Sequence, residues 1–181
     1  GRDGSRKNRF NQEIESLGLL SKLSHDKFIP LSYKLSSPEN RLEMLRGLMD
    51  TDGNKLRKGE AGVGFTSRSE QLVDDLCEIV RSLGGKAFKS SKYTKPAWSE
   101  GMLFCAYFVM PKGVKPFYCQ EKFKGYRDIP RTLCSSIVSI EHQGKNDAKC
   151  IVVDAEDGMF LAEDFVPTHN SSSKKTPTRT Y

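Results

Sequence analysis

The feature that most constrains the fold of this chain is a run of apolar residues with helical spacing. Its members recur at i, i+3, i+4 and i+7, and they are Leu72, Val73, Leu76, Ile79, Val80 and Leu83. Ser67 and Glu70 form a candidate capping box ahead of the run, and Gly84 and Gly85 end it. The pattern predicts an amphipathic helix whose apolar face must be buried against other parts of a core.

Other helices and strands are predicted on both sides of this helix. Helical spacing predicts helices over residues 8–18 and 38–53, the second with Ser37 as its N-cap and Pro38 at its first position. Strands are expected at residues 62–66, 86–93, 102–110, 136–141, 149–153 and 159–162. Prolines mark residues 112–131 as a loop, and we place a domain boundary at residues 129–131. The sequence thus predicts an α+β protein with a short-stranded β part at its end.

Composition limits the classes of protein to which the chain can belong. Its 181 residues suffice for one domain or two small ones, and no apolar run is long enough for a membrane span. No signal peptide is found, and five scattered cysteines without a C-x-x-C pair favour a reducing cytoplasm. The net charge is +6, with many lysines and arginines between residues 55 and 95. This charge suits a surface that follows nucleic-acid phosphates, although an ordinary lysine-rich surface has the same composition.

Two acids stand at the predicted C-terminus of the helix over residues 38–53. Asp50 and Asp52 oppose the helix dipole there, and such a local violation indicates a function, of which divalent cation binding is the obvious one. Asp and Gly also favour turns, and the residues alone favour a turn over a metal site.

The sequence around these acids resembles a known motif. Residues 45–53, LRGLMDTDG, resemble the LAGLIDADG motif of homing endonucleases and keep Leu45, Gly47, Leu48, Asp50, Asp52 and Gly53. The resemblance implies an αββαββ repeat that cuts double-stranded DNA, with Asp52 as a ligand of Mg²⁺ at a two-metal site. Lys27 belongs to a K-x-I-P element like the one that closes the first repeat of two-repeat, intein-borne endonucleases. It is the candidate basic residue of the active site.

The last part of the chain contains the groups needed to break a peptide bond without water. The side-chain amide of Asn170 can attack its own backbone carbonyl and release whatever follows. His169 can move the proton of that step, and the Ser171 hydroxyl can accept an acyl group. Each of these residues alone is usually only a solvated tail residue, but their order after a strand-rich segment favours the functional interpretation.

This segment resembles the C-terminal splicing region of inteins. The matching residues are Val152, Val153, Asp154, Phe160, Leu161, Phe165, Val166, His169, Asn170 and Ser171. The resemblance implies that Asn170 cyclises with the help of His169 and that Ser171 is the first residue of the downstream host segment. It also implies that Asp154 assists the proton transfers, within an all-β Hedgehog/intein (HINT) fold. Many inteins have a further histidine about ten residues before the final asparagine, where this chain has Gly158 and Met159.

Together the two resemblances imply an intein fragment that carries an endonuclease. Its expected parts are the tail of a first endonuclease repeat (1–30), a second repeat (31–131), a splicing segment (132–170) and a host-like tail (171–181). The expected partners are double-stranded target DNA and either an N-terminal intein half or the missing first endonuclease repeat, with no membrane partner. The candidate DNA contacts are Arg57, Lys58, Arg68, Lys86, Lys89 and Lys92. Two alternatives are a free-standing homodimeric endonuclease and an inactive DNA-binding remnant.

Overall fold

The structure, a computed structural model, describes residues 8–56, 61–95, 100–126, 134, 136–147 and 151–169. The chain divides into a first unit, Gly1–Cys134, and a second unit, Ser135–Tyr181. The predicted boundary at residues 129–131 falls three to five residues before this division and lies outside the described residues.

The described part of the first unit contains four helices, and all but the short second one start at a polar N-cap side chain. They are α1 (Arg9–Ser16), α2 (Leu31–Lys34), α3 (Pro38–Asp52) and α4 (Glu70–Ser82). Ser37 caps α3 as predicted, because its hydroxyl accepts a hydrogen bond from the Asn40 amide. No helix in the described part of the chain has the length and apolar character that crossing a membrane requires.

The predicted capping box of α4 is wrong. The N-cap is Ser69, whose Oγ accepts from the amide of Leu72 at 3.1 Å. Ser67 cannot serve because it is the last residue of a strand paired with Phe104, and its hydroxyl instead accepts from the Ser69 amide. The helix therefore starts after a short bend that separates it from the strand.

Four antiparallel strands of the first unit form one sheet. They are β1 (Gly53–Lys55), β2 (Val63–Ser67), β3 (Lys86–Thr94) and β4 (Gly101–Val109), in the spatial order β1-β2-β4-β3. The strands predicted at residues 62–66, 86–93 and 102–110 are confirmed to within one residue. From α3 onwards the chain thus runs helix, two strands, helix, two strands.

The core of the first unit lies around α4. The apolar face predicted from helical spacing is buried, and its members Val73, Leu76 and Val80 have no exposed surface. They belong to the same buried cluster as Phe65 and Phe108 of the sheet. Fully burying one such side chain contributes roughly 1.5–3 kcal/mol, so this face supplies much of the unit's stability.

One buried carboxylate joins α4 to the segment before α2. Asp75 is only 2 % exposed, and its oxygens accept from the Ile29 amide at 2.8 Å and from Lys34 Nζ at 2.9 Å. Gln71 donates to it at 3.0 Å, and Lys34 Nζ also lies 2.8 Å from Glu78. A buried charge is tolerated only when it is paired in this way.

The pKa of Lys34 is raised above its ordinary value of 10.5 by the hydrogen bonds that its ammonium donates to Glu78 and then to Asp75, against the opposing effect of burial. Because the folded pKa is higher than the unfolded one, the stabilisation is fully present below the ordinary value. It is lost as the pH rises through the raised folded pKa.

The second unit contains one small hairpin among its described residues. Strands β5 (Met159–Leu161) and β6 (Pro167–His169) pair antiparallel across a 3₁₀ turn, Glu163–Phe165. The strand predicted at 159–162 is confirmed, whereas residues 136–141 and 151–153 form no strand. A strand requires a ladder of paired residues, and within the described part of the chain no such ladder runs along these two segments. Their apolar side chains are correspondingly exposed, Val138 to 96 %.

We predict that Asp75→Ala destabilises the first unit by about 3 kcal/mol, because it leaves the Ile29 amide and the Lys34 ammonium without their buried acceptor. Urea unfolding followed by far-UV circular dichroism, which reports the helices, measures this loss.

The matched control is Asp74→Ala on the same helix. Asp74 is partly exposed and, among the described residues, forms its ion pair with Lys89, so its loss should cost less than about 1 kcal/mol. Equal effects of the two substitutions would contradict the role assigned to Asp75.

Candidate functional site

The C-terminal end of α3 carries the two acids that the sequence singled out. Gly53 follows as the C-cap and as the first residue of β1. A Cβ at Gly53 would lie 2.5 Å from the carbonyl oxygen of Met49, so only glycine allows the chain to turn directly from helix into strand. Asp50 and Asp52 are therefore held at a sharp junction between two regular elements.

Asp50 is already engaged by backbone groups. Its carboxylate accepts hydrogen bonds from the Tyr118 amide, at 3.0 and 3.2 Å, and from the Cys119 amide at 3.0 Å. Charge-assisted bonds of this kind are stronger than neutral ones. Asp50 thus connects the last turn of α3 to a loop 68 residues further along the chain.

Lys122, from the same loop as Tyr118 and Cys119, binds the C-terminal end of α3. Its ammonium donates to the carbonyl oxygens of Met49, Asp50 and Thr51 at 3.3, 3.2 and 2.7 Å. A cation among the last carbonyls offsets the negative end of the helix dipole. The unfavourable placement of two acids at this end is therefore compensated, which the sequence analysis did not foresee.

Asp52 differs from Asp50 in its surroundings. Its side chain is exposed, and within the described ranges it makes no hydrogen bond or ion pair. The described residues also hold no cluster of three histidine, cysteine or acidic side chains that would bind a metal ion. Asp52 alone thus fits a hard cation such as Mg²⁺ as one ligand, and further ligands would have to come from elsewhere.

A second polar cluster lies on α3 next to Asp50. The Tyr118 hydroxyl donates to both Glu43 carboxylate oxygens at 2.8 Å, and Arg46 donates to the same carboxylate at 2.7 Å. These bonds, from Tyr118 first and then Arg46, lower the pKa of Glu43. The Arg46 guanidinium lies 4.7 Å from the centre of the Tyr118 ring, and its Nε donates to the Lys115 carbonyl. Glu43 and Arg46 thus attach this face of α3 to the loop.

Gly47 opens another part of the α3 surface. It is exposed, and a Cβ built there would have no atom within 4 Å among its described neighbours. Glycine within a helix costs about 0.5–1 kcal/mol relative to alanine, and nothing within the described part of the chain repays that cost. A glycine at an exposed helix position allows another helix to approach closely.

Lys27 is exposed at the rim of an apolar pocket of about 340 Å³. Leu48 of α3, one helical turn before Asp52, lines the same pocket. The backbone at Lys27 is fixed, because its carbonyl accepts from the buried Ser69 hydroxyl and the Ile29 amide is held by Asp75. The K-x-I-P element is thus a rigidly attached segment beside α3.

Two of the predicted DNA contacts lie on the open face of the sheet. Side chains alternate along β3, so Lys86 and Lys92 lie on one face and Lys89 on the other. Phe88, on the same face as Lys92, is 68 % exposed, which identifies this face as the uncovered one. The open face therefore combines lysines with exposed aromatic surface.

Lys89 is on the helix-covered face instead. Its ammonium lies 2.6 Å from Asp74 and 3.0 Å from Glu70 of α4, and these partners, Asp74 first, raise its pKa. Its charge is thus matched within the fold, so the predicted DNA contact of Lys89 would have to break these ion pairs. Arg68 donates to the Glu100 carbonyl at 3.1 Å, and Arg57 and Lys58 lie outside the described residues.

The splicing candidates lie on or near the hairpin of the second unit. His169 ends β6 and is paired with Met159, while Asn170 and Ser171 lie outside the described residues. Gly158 has φ +64°, and a Cβ there would lie 3.2 Å from Nε2 of His169. The imidazole thus lies against the position where many inteins have their additional histidine. Asp154 is exposed just before the turn of this unit.

Sequence reasoning missed Tyr118, Cys119 and Lys122 as neighbours of α3. No local pattern could have revealed them, because backbone amides carry no sequence signal and the loop lies about 70 residues from the helix. The only available sign was the pair of uncompensated acids at the helix end, which required a donor from some other part of the chain.

Comparison with known proteins finds a similar sequence in a replicative helicase. No model of a known protein family matches the chain. A replicative DNA helicase DnaB from Mycobacterium intracellulare is 29 % identical over 166 residues. The match covers 88 % of this chain but 27 % of the helicase, so the chain spans about a quarter of that relative's length.

We predict that Gly47→Ala stabilises the isolated chain by about 0.5–1 kcal/mol, because it removes a helical glycine without creating a contact. The measurement is the urea midpoint of unfolding at unchanged slope.

Gly85→Ala is the control at a crowded glycine. A Cβ there would lie 2.8 Å from the Val109 carbonyl oxygen and 3.0 Å from that of Val80, so a loss of about 1–3 kcal/mol is expected. Destabilisation by Gly47→Ala would show that this face of α3 is covered in the free chain.

Proposed function

We propose that this chain is the C-terminal part of an intein that carries a LAGLIDADG-type endonuclease. The first unit would bind and cut double-stranded DNA together with a partner repeat, and the second unit would complete protein splicing with an N-terminal half. The observation that carries the proposal is the end of α3, where Asp50 accepts hydrogen bonds from loop amides while Asp52 is left exposed, five residues after an uncovered Gly47.

The proposed nuclease site assembles at the exposed end of α3. Asp52 would supply one carboxylate to Mg²⁺, and a second helix packed on the Gly47 side would supply its counterpart. When bound, the cation supplies charge stabilisation at the attacking and leaving oxygens of the phosphodiester. The Lys27 ammonium, held by the attached K-x-I-P element, would lie near the phosphate and stabilise its negative charge.

The open face of the sheet suits the DNA duplex. Lys86 and Lys92 would pair with phosphates, while polar side chains of the same face, such as Asn54 and Thr66, could meet base edges. β-sheet proteins use such faces to enter the major groove. Lys89 has no place in this contact because α4 holds its charge on the opposite side.

The proposed splicing chemistry uses the residues after β6. The side-chain amide nitrogen of Asn170 would attack the backbone carbonyl carbon of the same residue, so that a cyclic imide forms and the peptide bond to Ser171 breaks. His169 would deliver the proton that the departing Ser171 amine requires. Earlier in the reaction, the Ser171 hydroxyl would accept the upstream acyl group, and Asp154 would assist the associated proton transfers.

The second unit has an apolar surface that would suit an N-terminal splicing half. Ile137, Val138 and Ile140 are more than 80 % exposed, although isoleucine and valine are among the residues most often buried. An N-terminal splicing half that added strands here would give these residues both hydrogen-bonded neighbours and an apolar contact.

Homodimerisation through the Gly47 side of α3 is the alternative source of a second endonuclease repeat.

The helicase similarity suggests a class of host. If the helicase contains a related insertion, an intein would match that insertion and not the rest of the helicase. The matched stretch is indeed only about a quarter of the helicase. We therefore propose that the interrupted protein is of the replicative helicase kind.

We predict that Lys92→Ala weakens binding to a DNA duplex about tenfold and lowers the salt dependence by roughly one phosphate contact, a slope change of ~0.9. Fluorescence anisotropy of a labelled duplex across a salt series measures both quantities.

Lys89→Ala is the charge-matched control and should change the affinity less than about twofold, because Lys89 is paired to α4. Equal losses of affinity at Lys92 and Lys89 would argue against the assigned face.

Asp52→Asn should retain binding but lose magnesium-dependent nicking.

We predict that mixing the chain with an N-terminal intein half yields a ligated product, whereas the chain alone yields none and at most slowly loses residues 171–181. Intact-mass spectrometry follows both reactions. Asn170→Ala should abolish them, because the attacking amide is gone.

Asn146→Ala, elsewhere in the second unit, is the control and should react like the wild type. An unreactive wild type in the presence of the N-terminal half, or unchanged release from Asn170→Ala, would overturn the splicing proposal.

A further inference from the structure

One loop contacts α3 over its last three turns. We call residues 115–122 the α3 clamp. It accepts a bond from Arg46, donates to Glu43, donates two amides to Asp50 and ends with Lys122 at the helix terminus. Glu43, Arg46 and Asp50 recur at i, i+3 and i+7, so they form one stripe along the helix.

Asp52 lies on a different side of the helix from this stripe. Residues two apart on an α-helix are rotated by about 200°, and they do not face each other. Asp50 and Asp52 therefore cannot bind one cation together while α3 is regular to its end at Asp52. The two acids of this helix end must have different roles.

The clamp also determines how the helix ends. Lys122 donates to three successive carbonyls at the terminus, and the Gly53 amide still donates to Met49. Helix ends otherwise fray, because their last carbonyls have no partner within the helix. With both contacts present, the backbone that carries Asp52 has a single direction.

We infer that Asp50 is a positioning residue of the nuclease site and not a metal ligand. Through the Tyr118 and Cys119 amides it attaches the clamp to α3, and together with Lys122 it fixes the direction from which Asp52 meets a divalent cation. The role of Asp52 in this inference rests on the proposed nuclease function. The role of Asp50 as anchor of the clamp stands on the described hydrogen bonds.

The test uses the full chain with two NMR measurements. Amide hydrogen exchange at Tyr118 and Cys119 reports the clamp, and line broadening by added Mn²⁺ alone reports the cation position. In Asp50→Ala both amides should exchange about tenfold faster or more, because charge-assisted acceptors are lost. In Asp50→Asn, whose amide oxygen remains an acceptor, most of the protection should return, and Mn²⁺ should still broaden the Asp52 and Gly53 signals.

Asp52→Asn is the matched control two residues away. It should keep the protection of Tyr118 and Cys119 and lose the Mn²⁺ effect. If Asp50→Ala does not fold, Lys122→Met examines the clamp from its other end, and faster exchange at Gly53 is the expected result.

Two results would overturn the inference. One is loss of the Mn²⁺ effect in Asp50→Asn to the same degree as in Asp52→Asn, which would make Asp50 a ligand. The other is unchanged exchange at Tyr118 and Cys119 in Asp50→Ala, or at Gly53 in Lys122→Met if the former does not fold. If Mn²⁺ broadens no signal at Asp52 in the wild type, the proposed metal site fails, while the exchange measurements still decide the role of Asp50.

Discussion

Burial of the apolar face of α4 is the interaction on which the first unit depends. The sheet lies against that face, and α3 reaches the same core through Leu45 and Met49. Everything proposed about the end of α3 requires this contact, because an exposed carboxylate has a defined position only when its helix is held by a packed core. The buried Asp75 attaches the segment of Lys27 and Ile29 to this core at a defined position.

The polar contacts of the first unit divide into structural and available groups. Asp50, Asp75 and Lys89 are charged, yet each has its charge satisfied within the fold. Asp52 and Lys92 lie where solvent or a partner can reach them. Charge alone does not distinguish the two sets, because the sequence shows the same residue types whether a charged side chain is paired or available. Their different environments are what make the nuclease proposal specific.

The second unit follows a different physical rule. Its hairpin pairs only three residues in each strand, and its remaining apolar side chains are mostly exposed. A two-stranded hairpin is marginally stable by itself, which is why the splicing proposal assigns further strands to an N-terminal half. The strand predicted at residues 136–141 was not found, nor was the described part, 151–153, of the strand predicted at 149–153, because apolar residues alone do not create a ladder of paired strands.

Most of the first unit could be predicted from sequence, since periodicity and caps act locally. Helical spacing determined α3 and α4, and alternation with glycine punctuation determined β2, β3 and β4. The motif alone singled out Asp52, and the residue order alone singled out His169 and Asn170. Only the tertiary structure decided that Asp50 is bound by distant amides, that Lys122 caps α3 and that Lys89 faces α4. Contacts between residues about 70 positions apart depend on how packed elements meet in space, and one sequence records only the local preferences of each element.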